Sequence, residues 1–501
     1  MPKGVNRRDF FGLTVAGAAA LSQAVPAFAE VPGTIAVRQT ADAKRFAEEP
    51  ALKWQPAQGP SHDPIVLDPS RTYQEMLGFG AALTDAAAYM INELDASTRE
   101  KFLRELYHPS ELGLEMTRIC IGSADFAHSM YSYDEGEPDP DMKRFSIEHD
   151  KAYILPQLRS ALKYCPNLGV FASPWSPPGW MKAGGSMLGG SLKPKNFPAY
   201  AKYFVKFVQA YQAEGVPIYA VSPQNETDTD QDGRMPACVW AQEHEIVFVS
   251  QHLGPALEQN KIPAKIWVLD HNFNLWGRVV NELENPMLSR YVDGVAWHPY
   301  VGSVTAVSRV HDLFPNKNMY WTEGDFEAAF SLVGPMTFGA GAPGGAGPEA
   351  GAAAAPETPP DQDSNAGMAQ AGVGAANATR NWLKGITVWN IALDENGNPN
   401  IGPFLHARGL VTINSKTKEI TRTGEYWAMK HYTHAGRRGS KRFDTQGDLE
   451  GLAHVAFVGP NDTKTLVLSN VGAARKTQLR LGHLMTEVSL PANSITNLTW
   501  A

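Results

Sequence analysis

Pro217-Ile-Tyr-Ala-Val-Ser-Pro-Gln-Asn-Glu226 is a short apolar run that ends in polar residues and a carboxylate. The form expects a strand buried on both faces that delivers Asn225 and Glu226 to its C-terminal end. Asn318-Met-Tyr-Trp-Thr-Glu323 repeats the form, again closing on a glutamate. The two glutamates stand 97 positions apart (323 − 226), which leaves room for three βα units between their strands. They then belong to strands four and seven of one parallel barrel and face each other across its C-terminal mouth.

Outward from these stretches, strand-like and helix-like runs alternate. Gly78–Asp85 reads as a strand and loop, followed by a helix over 86–106. Strands follow at 115–121, 169–173 and 218–221, with helices near 147–164 and 197–213 between them. A helix near 238–259 precedes a strand at 265–269, and further strands follow at 292–297, 319–322 and 386–389, the last after a helix over 368–384. Eight strands with intervening helices is the count of an α/β TIM (β/α)8 barrel. We place it at 76–411. Short strands at 30–75 and a β-rich stretch at 412–501, broken by Gly, Asn and Asp, are read as one side β-sandwich domain built from N- and C-terminal strands. Within the barrel, 334–366 is a Gly/Ala/Pro-rich segment read as a flexible loop.

The chain has 501 residues, 19% of them charged, and a formal net charge of −8. No long basic run occurs, which argues against nucleic acid as a partner. Cys120, Cys165 and Cys238 form no CxxC and cannot all pair, so no disulfide framework is expected. Asn6-Arg-Arg-Asp-Phe-Phe11, a mildly apolar stretch to Phe28 and Ala27-Phe-Ala29 have the form of a twin-arginine signal over residues 1–29. That form expects the Tat translocase as an export partner and a bacterial, periplasmic or secreted protein. Ser22, Gln23 and Pro26 interrupt the apolar run, and no integral membrane segment is expected after cleavage.

Two strand-end carboxylates suit glycosidic bond cleavage: one protonates the leaving oxygen while the other attacks the anomeric carbon. Retention of configuration needs them about 5–5.5 Å apart, in environments that keep one protonated and one ionised. Asn225 is placed to hydrogen-bond a sugar hydroxyl. No cofactor is expected: Gly78-x-Gly80 lacks the third glycine of a dinucleotide fingerprint, and no P-loop or HExxH occurs. No metal is expected either, because Asp228-Thr-Asp-Gln-Asp-Gly233 has Val239 where a calcium loop needs a bidentate acid. Trp180 and Trp240 are read as core.

Gly78-Phe-Gly-Ala-Ala-Leu-Thr-Asp-Ala-Ala-Ala88, Ala172-Ser-Pro-Trp-Ser-Pro-Pro-Gly-Trp-Met-Lys182, Gln224-Asn-Glu226, Trp321-Thr-Glu323 and Gly385-Ile-Thr-Val-Trp-Asn390 resemble, in order, motifs of glycoside hydrolase family 30. The resemblance runs from about residue 31 to the end, except the Gly/Ala-rich segment. It implies a retaining β-glycosidase on a TIM barrel, with Glu226 as acid/base and Glu323 as nucleophile. It further implies that Asp85, Trp175, Asn225 and Trp389 bind sugar hydroxyls, that Arg118 lies beneath the carboxylates, and that His298 and Tyr300 hydrogen-bond near them. Thr227-Asp228, where the family often has Pro, and Gly324-Asp325 depart from the lysosomal glucosylceramidase on the aglycone side. The expected substrate is a β-linked glucoside or glucan, as for a glucosylceramidase-like β-glucosidase. Alternatives are endo-β-1,6-glucanase, β-xylosidase or β-fucosidase activity, and a non-catalytic sugar-binding barrel.

Overall fold

The structure, a computed structural model, describes residues 33–57, 63–326, 363–404 and 407–501. The signal-like segment 1–29 lies outside these residues. So does the Gly/Ala-rich segment up to 362, while Asn365 and Ala366 already belong to the helix Asn365–Arg380, capped by Ser364.

Eight parallel strands close into a barrel: β1 Gly78–Ala82, β2 Met116–Cys120, β3 Gly169–Ser173, β4 Ile218–Val221, β5 Lys265–Asn272, β6 Val292–His298, β7 Asn318–Trp321 and β8 Leu383–Val388. Pairing of Gly385 with Gly78 and of Val388 with Ala81 closes the ring. β1, β2 and β3 are buried along their whole length, which is why they read as continuous apolar or small-residue runs rather than alternating ones. Met116, Phe171, Ala220, Trp267, Ala296 and Tyr320, one from each of β2 to β7, meet in a single cluster inside the barrel. Trp267 stacks on Tyr320 at 3.9 Å between ring centroids. Small residues on neighbouring strands make room for these rings: a Cβ on Gly294 would lie 2.9 Å from Tyr320 Cε2, and one on Gly385 3.1 Å from Tyr320 Cδ1.

Strand side chains alternate, so two residues further along each strand the same inward face is presented again. On β2, β3 and β6 that next position holds Arg118, Ser173 and His298, and just beyond β4 and β7 it holds Ser222 and Thr322. An apolar floor thus carries a polar layer toward the C-terminal mouth.

The N- and C-terminal strands share one ten-stranded sheet that forms the sandwich region. Thr34–Ala41 pairs with Ser494–Trp500, and Ile65–Glu75 pairs with Lys441–Gln446. Its separate core includes Ile35, Trp54, Phe443, Leu466 and Trp500.

Some local readings differ from the structure. The stretch 86–106 is two helices, Asp85–Asn92 and Ala96–Tyr107, because the Asp95 side chain accepts from Ser97 N and Thr98 N and starts the second. The stretch after Thr412 is not all β: Gly424–Ala435 is a helix capped by Thr423.

Candidate active site

β4 ends at Val221, and the chain turns through Ser222–Asn225 to Glu226, whose φ is +52°. Backbone hydrogen bonds hold this left-handed residue in place: Asn225 N donates to Pro174 O and Glu226 N to Asp270 O, both at 2.9 Å. β7 ends at Trp321, and Thr322 leads to Glu323 and Gly324. Gly324 has φ +125°, and a Cβ there would lie 2.5 Å from Pro299 Cδ.

Arg118, fully buried, organises the floor. Its guanidinium donates to Glu323 Oε2, to Asp270 Oδ2 at 2.7 Å and to Asn225 Oδ1 at 2.8 Å. It also lies 4.8 Å from the centroid of the Trp175 ring, which stacks on Trp389 at 5.1 Å. Asp270 is the central anion. It accepts from Arg118, Ser173 Oγ at 2.6 Å and Ser222 Oγ at 2.5 Å on one oxygen. The other takes His298 Nε2 at 3.0 Å and Thr322 Oγ1 at 2.6 Å. The Arg118 cation and these donors outweigh its burial and hold the carboxyl far below the usual range.

Glu323 Oε1 accepts from Tyr300 Oη at 3.1 Å. His298 Nδ1 lies 3.4 Å from Glu226 Oε1 and 3.8 Å from Glu323 Oε1. Two oxygens reached from one nitrogen lie at most the sum of those lengths apart, about 7.2 Å. That bound is compatible with the close carboxyl pair that retention requires.

Burial opposes the charge on His298, but Glu323, Asp270 and Glu226 together raise it to about 9. Neighbouring His298 and His271 hold Glu226 down at about 2 against its burial, while burial and the Glu226 charge push Glu323 up against the pull of His298 and Arg118. These opposed shifts favour a proton on His298, beside Glu226, over one on Glu226 itself.

The carboxylates open into a cavity of about 930 Å³. Trp175, Asn225, Glu226, Tyr300, Glu323 and Trp389 line it, while Arg118 and His298 lie beneath. Asp85 does not line it. Asp85 opens the helix Asp85–Asn92, and its oxygens accept from His128 N, His149 Nε2 and Tyr153 Oη, each at 2.7 Å. The aspartate at the wall is Asp125, 4% exposed, with Oδ1 unpartnered and its pKa pushed well above the usual carboxylate range by burial and by Glu323. Trp240 is core, parallel to Phe197 at 5.7 Å.

Asp270 and His271 escaped the sequence reading. β5 carries a bulge there: Leu269 and Asp270 have φ of +73° and +49°, and the register against β6 slips between Ala296 and Trp297. The bulge re-aims Asp270 into the barrel. A signal was present, because Lys265-Ile-Trp-Val-Leu269 is an apolar run followed by Asp270-His-Asn272, the same form that marked Glu226.

Residues 76–331 match the profile of the glycosyl hydrolase family 30 TIM-barrel domain, and residues 439–498 match the family 30 beta sandwich domain. The chain belongs to glycosyl hydrolase family 30. This family 30 enzyme is 28% identical over 427 residues to an endo-1,6-beta-D-glucanase of Neurospora crassa, covering 80% of each chain. It is 33% identical over 275 residues to the lysosomal acid glucosylceramidase of Mus musculus, covering 52% of this chain and 53% of that one. Among solved structures, the endo-beta1,6-glucanase BT3312 superposes with a TM-score of 0.78 at 28% identity, over 93% of this chain and 99% of that one. The chain is thus a glycosidase of a family whose members here include glucosylceramidases and endo-1,6-beta-glucanases.

Proposed function

We propose that the enzyme hydrolyses β-glucosidic bonds with retention, Glu226 serving as acid/base and Glu323 as nucleophile. The observation that carries this reading is that both carboxylates lie close to the one His298 Nδ1, at 3.4 Å and 3.8 Å. Glu323, fixed by Arg118 and Tyr300, attacks the anomeric carbon and forms a glycosyl ester. Glu226 passes to the leaving oxygen the proton that His298 holds beside it, then takes a proton from the water that cleaves the ester. Asn225, with its Oδ1 tied to Arg118, keeps its NH2 group for a sugar hydroxyl. Trp175, Trp389 and Asp125 complete the glycone wall.

The lip of the cavity supports a sugar on the leaving side. Thr229, Gln231, Asn272, Asp325 and Arg408 line it, with Phe404 as the exposed apolar ring. A polar lip suits the hydroxyls of a glucan better than an acyl chain. It favours action on a β-1,6-glucan, in line with two of the relatives. Incubation with pustulan, glucosylceramide and an aryl β-glucoside, followed by NMR of the first product, is expected to give the β-anomer and faster release from pustulan than from glucosylceramide. A first product that is the α-anomer overturns retention.

Export by the twin-arginine route to the periplasm or beyond belongs to the same proposal. Arg7, Arg8 and Ala27-Phe-Ala29 support it. Changing Arg7 and Arg8 together to Lys is expected to retain the protein in the cytoplasm on cell fractionation, and undiminished export of that variant overturns the route.

A further inference from the structure

His271 and His298, 5% and 0% exposed, converge on Glu226 in a pattern that proton transfer alone does not require. Each turns Nε2 to a carboxylate: His271 to Asp228 Oδ1 at 2.5 Å, His298 to Asp270 Oδ1 at 3.0 Å. Each turns Nδ1 to the same oxygen, Glu226 Oε1, at 3.6 Å and 3.4 Å. Neither Nδ1 has a hydrogen-bond partner. The three donor atoms lie within 4.8 Å of one another.

A tetrahedral zinc with bonds of about 2.0–2.2 Å sets its ligand atoms about 3.3–3.6 Å apart. Both Nδ1–Oε1 spacings have that length. An imidazole whose far nitrogen donates to a carboxylate is the arrangement that fixes tautomer and ring direction for a metal. Two nitrogens and one oxygen select a zinc-like ion over calcium or magnesium, which take oxygen ligands. Glu226 opens onto the cavity, which leaves a fourth position for water.

We propose that Glu226, His271 and His298 form a binding site for a zinc-like divalent cation whose occupancy blocks turnover. The block rests on the reading of Glu226 as acid/base, since an oxygen bound to a cation cannot carry the proton for the leaving group. The enzyme is therefore inhibited reversibly by free zinc and released by a chelator.

The test uses chelator-treated full-length enzyme titrated with zinc chloride in a calorimeter, with magnesium chloride as control. One zinc per chain is expected, located at Glu226 by anomalous scattering, with an inhibition constant on an aryl β-glucoside that matches the dissociation constant. His271→Asn is expected to weaken zinc binding at least about tenfold, and Asp228→Ala, on an exposed side chain, to weaken it about tenfold. The two variants are compared with wild type by thermal melting without metal. Zinc that binds all three proteins equally, zinc that binds none, or zinc that sits at Glu226 while turnover continues overturns the proposal. Azide rescue of Glu226→Ala tests the acid/base reading separately: its absence removes that reading and leaves the calorimetric result standing.

Discussion

Glu323→Gln is expected to lower kcat on an aryl β-glucoside by about 10⁴-fold or more, while the melting temperature stays level or rises. Loss of a nucleophile removes a covalent path rather than weakening a contact, so the effect is of the size seen when a catalytic nucleophile is deleted. Ten-thousandfold corresponds to about 5.4 kcal/mol of transition-state stabilisation. Gln keeps the shape: its single carbonyl oxygen can accept from Arg118, while its NH2 group donates to Tyr300 Oη and reverses that bond. The stability half follows from the sign of the Glu323 shift. Its pKa is raised in the folded protein, so ionising it above the unfolded value costs stability, and a neutral amide removes that cost. The companion change, Glu226→Ala, separates the roles. With an aryl glucoside whose leaving group needs no acid, the glycosyl ester still forms and its hydrolysis becomes slow. Azide then attacks without needing a base and is expected to restore turnover as the β-glycosyl azide. In a Glu323→Ala protein azide replaces the nucleophile itself, and the product is the α-azide. If both azides have the same configuration, or if Glu323→Gln keeps more than about 1% of wild-type kcat, the assignment fails.

Both carboxylates were legible because each closes an apolar strand, and a strand that enters a barrel floor must end at the mouth. Asp85, named from the family resemblance rather than from that signal, sits differently. It too follows a barrel strand, but Thr84 caps a helix there, so Asp85 lies in the first helical turn and is held by His128 N, His149 and Tyr153. Asp270 failed in the opposite sense. A regular β5 would send it outward, and only the bulge at Leu269–Asp270 brings it inside. Periodicity carries no information about a bulge. The helix Gly424–Ala435 was missed for a related reason. Eight of its twelve residues are buried. Tyr432 Oη reaches Gly372 O on the neighbouring helix, while His431 bonds Thr40 and Asn497 in the sandwich. A helix covered on several faces has no single apolar stripe to read. The paired strands before and after the barrel were readable only as strands, since their partners lie more than 350 positions away.

Arg118→Met is expected to carry two separable effects. The first is a loss of about 3–5 kcal/mol of folding stability, read by denaturant titration. Arg118 is the buried cation between Glu323 and Asp270, and an apolar side chain of similar length takes the guanidinium from both anions where water cannot replace it, leaving them to His298 and the neighbouring hydroxyls. The second is a displacement of the pH profile of kcat/KM. Removing a positive charge raises the pKa of every neighbouring group, acid or base. Glu323 must be ionised to attack, so its rise moves the acidic limb to higher pH. In the proposed mechanism His298 holds the acid proton, and the carboxylates around it raise it to about 9, so its further rise moves the basic limb the same way. Both limbs are expected to shift up by about one unit or more, and each unit is about 1.4 kcal/mol of lost preference for the unprotonated form. Arg118→Lys retains the charge but not the fork that spans Glu323, Asp270 and Asn225. It is expected to leave the limbs near their wild-type positions while recovering only part of the stability. A purely structural Arg118 would lower the height of both profiles without moving either limb, and that result would remove it from the set of residues that hold Glu323 ready to attack.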